Sequence, residues 1–280
     1  MSFFSWINWV DDLSTTIEAS HEVEGLGVDR LSTQLVGQRW RSSSILENDG
    51  PVRVTLTYGQ PRISRILMLQ RPRLSLDKER QGIGVTYGYD DTIRHRLYAE
   101  GIDSAVVFDS GDVPSRILPG YGTHGLLLPD DIAHQTWEIQ FGAQSRRITP
   151  ENYIEFGRAW SGPAHIFETS YAGPFGFGGG SNASARRSAS GLALHIRKSA
   201  VWRRFSVVFN SIRESERNAL IDYLMATNDW SQHVIGFEAG RFSDVTDAER
   251  HFIFCAHAPV NLNKVSRSFS QIALTLQEAL

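Results

Sequence analysis

Val52-Arg53-Val54-Thr55-Leu56-Thr57-Tyr58 sets a large apolar or aromatic side chain at every second position, and this two-residue period constrains the chain more than any other feature. Such a run buries a single face only when the backbone is extended, because side chains alternate across a strand and return every 3.6 residues around a helix. Asn48-Asp49-Gly50-Pro51 opens the run with turn chemistry. Ile63 to Leu69 is a second candidate strand, and Leu97-Tyr98-Ala99, Ala105 to Phe108 and Trp137 to Phe141 continue the series. Turn signals at Asp109-Ser110-Gly111-Asp112 and Pro119-Gly120-Tyr121-Gly122 separate them, and no helical period of useful length occurs before residue 158. Residues 1–158 are therefore expected to form a β-sandwich or jelly roll.

The next stretch, 159–190, changes character. Ser161-Gly162-Pro163, the glycine run from Gly173 to Gly180 and Ser181-Asn182-Ala183-Ser184 read as a Gly/Ser-rich connector arm. Its aromatics Phe167, Tyr171, Phe175 and Phe177 suggest that it docks on a surface. Residues 191–280 read as an α+β unit. Phe205 to Phe209 is a strand, and Ser211 with Glu214 fits the Ser-x-x-Glu capping box that opens a helix. Leu220, Ile221, Leu224 and Met225 recur at helical spacing, with an end expected near Asn228. His233 to Phe237, His251 to His257 and Phe269 to Leu276 are expected strands. The whole chain is thus expected to be mainly β, with an α+β C-terminal part.

Composition narrows the function. A net charge of -3 and a pI near 6.3 argue against non-specific nucleic-acid binding, which needs a dense surplus of Lys and Arg. The single cysteine, Cys255, cannot form an internal disulfide or a cysteine zinc cluster. Flanked by Phe254 and Ala256, it reads as a small buried hydrophobe. Met1 to Trp6 lacks a basic n-region and Asp11-Asp12 interrupts the apolar stretch, so no signal peptide is expected. No window reaches 18 uncharged apolar residues, so no membrane span is expected either.

Catalytic patterns are not found: there is no Gly-x-Ser-x-Gly elbow, no His-Glu-x-x-His and no Gly-Lys-Ser/Thr loop. His251 and His257 share strand parity, and His233 could join them, but no acidic or cysteine partner stands in tight register. Asp90-Asp91, Asp130-Asp131 and Asp109-x-x-Asp112 read as loop acids, with the last pair also offering hard oxygen ligands of the kind calcium takes. No metal or cofactor is expected. The apolar opening Phe3, Phe4, Trp6, Ile7, Trp9 and Val10 must be covered, by its own domain or by a neighbouring subunit.

Several segments together resemble a family of virion proteins at the tail tip, or baseplate, of long-tailed bacteriophages. They are Asn8-Trp9 with Ala19-Ser20 and Arg39-Trp40-Arg41-Ser42; Val106 to Gly111; Tyr153 to Ala164; and the module from Arg187 to the final strand. The resemblance implies a minor or distal tail protein with a jelly roll similar to carbohydrate-binding modules and a tail-tube-like, collar-forming domain. It also implies a trimer or hexamer of this chain, other tail proteins as partners, and assembly in the host cytoplasm into the virion tail. The expected contacts are Phe3, Phe4, Trp6, Trp9, Phe175 and Phe177. The alternative function is a carbohydrate-binding module for host surface glycan, with Tyr121 and His124 as loop contacts. Trp137 alternates with Ile139 and Phe141 and reads as core. A glycan depolymerase would need facing acids that the sequence does not place.

Overall fold

A computed structural model describes residues 2–33, 38–43, 51–70, 92–114, 123–141, 154–168, 176–180, 183–187, 193–197, 202–227, 233–236, 253–257, 262–264 and 269–278. In chain order the first strands are β1 (Ser2–Ser5), β2 (Thr16–Ala19), β3 (Trp40–Arg41), β4 (Val52–Gln70), β5 (Thr92–Tyr98), β6 (Val106–Asp109), β7 (Val113–Pro114), β8 (Thr123–Phe141), β9 (Glu155–Phe156) and β10 (Arg158–Gly162). Then come β11 (His165–Phe167), β12 (Gly176–Gly180), β13 (Ala183–Arg187), β14 (Ala193–Arg197) and β15 (Trp202–Arg213). The helix α1 (Glu214–Thr227) precedes β16 (His233–Gly236), β17 (Ile253–His257), β18 (Leu262–Lys264) and β19 (Phe269–Glu278). The chain is mainly β, its sheets are antiparallel, and α1 is the single α-helix among the described residues. That arrangement is consistent with a β-sandwich or jelly-roll-like fold. No helix of the described residues is long and apolar enough to cross a membrane.

The first large sheet runs β10-β4-β8-β5-β6, with β2 beside β4 and β7 beside β5. The two strands expected at 52–58 and 63–69 are one bent strand, β4, paired with the equally long β8. Val52 to Thr57 face Phe141 to Thr136, Ile66 to Gln70 face Leu127 to Thr123, and the register shifts after Thr57 and again after Ser64. Gly59-Gln60-Pro61 falls in the first gap, where a proline without an N–H does no harm to the ladder. Each shift lets extra residues change which face a side chain takes. Val54 and Leu56 therefore join the same core as Leu67 and Leu69, while Ile66 and Met68 enter a second cluster with Phe3, Trp160 and Val234.

The second large sheet runs β11-β1-β16-β17-β19-β15-β12, with β18 beside β19. Strand β1, from the opening of the chain, sits between β11 and β16, with Phe4 opposite His165 on one side and Ile235 on the other. Residues 2–5 thus belong to the sheet of the C-terminal unit, across the boundary expected at 158. Phe4 stacks on Tyr223 at 5.0 Å and meets Phe167 edge-on at 4.9 Å. Gly236 is required for this fit: a Cβ there would lie 2.0 Å from the Phe3 ring. The expected connector is largely strand: β10 joins the first sheet, β11 and β12 the second, and β13 pairs with β14.

Helix α1 starts two residues later than the Ser211–Glu214 box predicts, because β15 continues through Arg213. The capping carboxylate is Glu216, which accepts from the backbone N–H of Arg213 at 3.1 Å and of Glu168 at 2.8 Å. Leu220 and Tyr223 are buried on this helix, whereas Ile221 and Met225, expected on the same face as Leu220, are exposed. The aromatic Tyr223, and not Met225, completes the stripe.

Candidate functional site

Strand β5 has two different faces. Ile93, His95 and Leu97 point into the core; Arg94, Arg96 and Tyr98 lie on the outer face. Antiparallel register then assembles that outer face, since directly opposed residues share a side of the sheet. One rung is Arg53, Gln140 and Arg94. The next is Glu18, Thr55, Glu138, Arg96 and Asp109. A third is Thr16, Thr57, Thr136 and Tyr98, with Val106 opposite Tyr98 at the rim. Five strands thus present three adjoining polar rows.

The groups are held by one another. Asp109 accepts from Arg94 Nε at 2.8 Å and Arg94 Nη2 at 2.5 Å, from Arg96 Nε at 3.2 Å and from the Gly111 backbone at 2.9 Å. The Arg94 hydrogen bonds hold its carboxyl well below the usual carboxylate range, against the opposing effect of burial. Glu138, only 1% exposed, accepts from the Tyr98 hydroxyl at 2.7 Å and from Gln140 at 3.1 Å. Arg53 and Arg96 stand 3.8 and 3.7 Å from its two oxygens. Burial first, and then Glu138, raise the Tyr98 hydroxyl above its ordinary value. The arginine heads remain partly open to solvent, Arg53 being 51% exposed. The result is an interlocked array of cationic donors, carboxylate acceptors and hydroxyls, with exposed Val106 and Val107 beside it.

The residues singled out by sequence lie elsewhere. Phe3 and Phe4 are buried in the chain's own second sheet and the cluster beneath it, so this chain itself covers the apolar opening. Trp6 packs on Tyr223 at 5.6 Å. Trp9 donates its indole N–H to the Ile63 carbonyl at 2.8 Å and carries the Arg62 guanidinium over its ring. Phe177 stands in β12 opposite Phe205, and Phe175 and Tyr121 lie outside the described residues. His124 is 1% exposed and hydrogen-bonded to His95, so its ring faces the interior. Trp137 is core, as its alternation predicts. Asp109 is an arginine partner, and no group of three or more His, Cys, Asp and Glu suited to a metal occurs among the described residues. The signal that was missed is the polar half of the alternation in Thr92 to Tyr98 and Trp137 to Phe141.

No protein-family model and no curated protein matches the chain. Solved structures do match. The family 32 carbohydrate-binding module of Clostridium perfringens NanJ, in complex with galactose, is 10% identical over 59% of this chain and 100% of that one, at a TM-score of 0.39. The family 32 module of Streptococcus pneumoniae EndoD is 14% identical over 55% and 98%, at 0.40. The lectin domain of lectinolysin with Lewis B antigen is 9% identical over 54% and 94%, at 0.39. These and five further matches are carbohydrate-binding modules or lectin domains, and none of the eight is a phage tail protein. That finding overturns the tail-tip resemblance. With it go the baseplate role, the ring of identical copies, the tail-protein partners and the placement in a virion assembled in the host cytoplasm. The second sheet is likewise not specifically of a tail-tube kind.

Proposed function

We propose that the chain is a glycan-binding module, with the first unit a jelly roll and the outer face of β2, β4, β8, β5 and β6 its recognition surface. The observation that carries this reading is the set of three cross-strand rungs, which places donors and acceptors side by side on one face of the sheet. A saccharide offers a flat edge of hydroxyls, each able to donate and accept, and Arg94, Arg96, Asp109 and Gln140 match that pattern. Val106 and Val107 supply apolar contact for its C–H faces. In this reading the protein binds without turning its ligand over: Asp109, held ionised by Arg94, has no proton to give near neutral pH.

The test is a glycan array probed with the intact chain and with Arg94→Ala. Binding of a defined glycan group, weakened about tenfold or more by the substitution, is expected, since a hydrogen bond to a charged group contributes roughly 1.5–3 kcal/mol. An array blank at high protein concentration overturns the proposal.

A further inference from the structure

The longest stretch of the chain without a carboxylate side chain is 169–213. It holds seven Lys and Arg (Arg186, Arg187, Arg197, Lys198, Arg203, Arg204 and Arg213) and no Asp or Glu. The remaining residues hold 21 Lys and Arg against 31 Asp and Glu, a balance of -10 in a chain whose net charge is -3. Charge is therefore sorted along the sequence, and the cations of this stretch cannot be matched from within it.

Strand register gathers them. Gly176 to Gly180 pair with Ser206 to Trp202, and Ala183 to Arg187 pair with Arg197 to Ala193. The two ladders are nested, so both belong to a single antiparallel hairpin excursion between 176 and 206. Arg186, Arg187, Arg197, Arg203 and Arg204 stand on its rungs opposite Leu194, Ala193, Ala183, Gly179 and Gly178 in turn. Unlike charges set directly across a ladder are how a sheet neutralises itself, and no rung of this hairpin has such a pair. Strand β19 accompanies β15 only as far as Arg204, opposite Gln277, and Arg204 is exposed. Arg213, at the other end of β15, does meet an acid, Glu168 at 2.7 Å. From Gly178 to Arg187 the chain can reach at most about 30 Å, a line of cations suited to a polymer with charges at intervals.

We propose that this hairpin is a second binding element and that its ligand is an acidic polysaccharide, whose carboxylates or sulfates meet the cations of 186–204. The choice of a saccharide polymer rests on the glycan-binding reading of the first unit; the one-signed hairpin does not. In the first unit Arg94 and Arg96 are already matched by Asp109 and Glu138, so that face suits hydroxyls and recognition of charge falls to the hairpin. A nucleic acid is the poorer fit. A duplex carries one charge per about 1.7 Å, and so dense a polymer is repelled by the -10 of the remaining residues wherever it runs past the hairpin.

Biolayer interferometry with the intact chain compares polygalacturonate with its fully methyl-esterified form, dextran sulfate with dextran, and a single-stranded oligodeoxynucleotide. At least one charged polysaccharide should bind about tenfold or more tightly than its uncharged counterpart and lose about tenfold between about 50 and 200 mM salt. Which pair shows the preference assigns carboxylate or sulfate. Combining Arg186→Gln, Arg187→Gln and Arg197→Gln should abolish the preference, and the corresponding Arg→Lys triple variant, which keeps the charge, should retain it. Four results overturn the proposal: no binding to either charged polysaccharide, equal binding of charged and uncharged forms, an oligodeoxynucleotide bound as tightly, or a preference that survives in the Gln triple variant or is lost equally in the Lys one. Arg94→Ala separates the two readings. Charge-selective binding abolished by the Gln triple variant and untouched by Arg94→Ala keeps the hairpin and removes the first-unit site; the reverse pattern keeps the first-unit site and removes the hairpin.

Discussion

Removing the Phe3 ring and adding a methyl at Gly236 should cost little more together than the first change alone. Phe3 is 0% exposed and packs with Trp160, Ile66, Met68 and Val234 where the two large sheets meet. Phe3→Ala leaves a cavity and is expected to cost about 3–5 kcal/mol. Gly236→Ala drives a methyl group to 2.0 Å from the ring, an overpacking worth roughly 1–3 kcal/mol. Gly236 does not have a positive φ, so backbone strain does not enter, and in a strand the alanine would otherwise be favoured by about 0.5–1 kcal/mol. In the Phe3→Ala background that favourable contribution is what remains, and the new methyl partly fills the cavity. Gly236→Ala should then become neutral or stabilising, a coupling of at least about 1 kcal/mol. Urea unfolding of the native chain, both single variants and the double variant, followed by circular dichroism, measures it. Costs that add to within about 0.5 kcal/mol would refute the placement of β1 beside β16.

His134, fully buried, donates from Nδ1 to the Ile132 carbonyl at 3.1 Å, and burial lowers its pKa to about 4. The unfolded chain therefore takes up the proton first. Its contribution is whole above about pH 6.5 and is lost as pH falls toward 4, roughly 3 kcal/mol over that window, read from urea midpoints against a His134→Gln control. Asp11→Ala strands the 1%-exposed Arg158, whose Nη2 lies 2.7 Å from the Asp11 carboxylate, at a cost of about 3–5 kcal/mol. Adding Arg158→Met should recover most of that loss in the same unfolding assay. Glu216→Ala removes the acceptor for two backbone N–H groups and should lower stability by about 1–3 kcal/mol, with the melting midpoint falling accordingly.

Strand periods were readable from residues alone: the runs at 52–58, 137–141 and 269–276 fall in strands, and the run expected at 105–108 is strand from Val106 on. The runs 52–58 and 63–69 read as two strands, but the residues between them, Gly59-Gln60-Pro61 among them, lie within one continuous strand. Residues common in turns also serve where the register of a long strand shifts. The helix end expected near Asn228 falls at Thr227, yet its start moved because nothing local stops β15 at Ser211. Strand β1 was out of reach for a different reason. Its partners begin 160 residues later, and no local pattern specifies a pairing at that distance. The polar face failed the same way: Arg53, Arg94, Asp109 and Glu138 are unremarkable separately and become an array only through register. The ordered motifs that resemble tail-tip proteins were individually unspecific, and the matched solved structures are of another kind.

The seat of Ser2–Ser5 between β11 and β16 also sets an order of events during synthesis. Ser2–Ser5 cannot meet both of its final neighbours until His233–Gly236 has left the ribosome, so Phe3 and Phe4 must wait for their full cover while the residues between are produced. Closing so long a loop is a slow, late step.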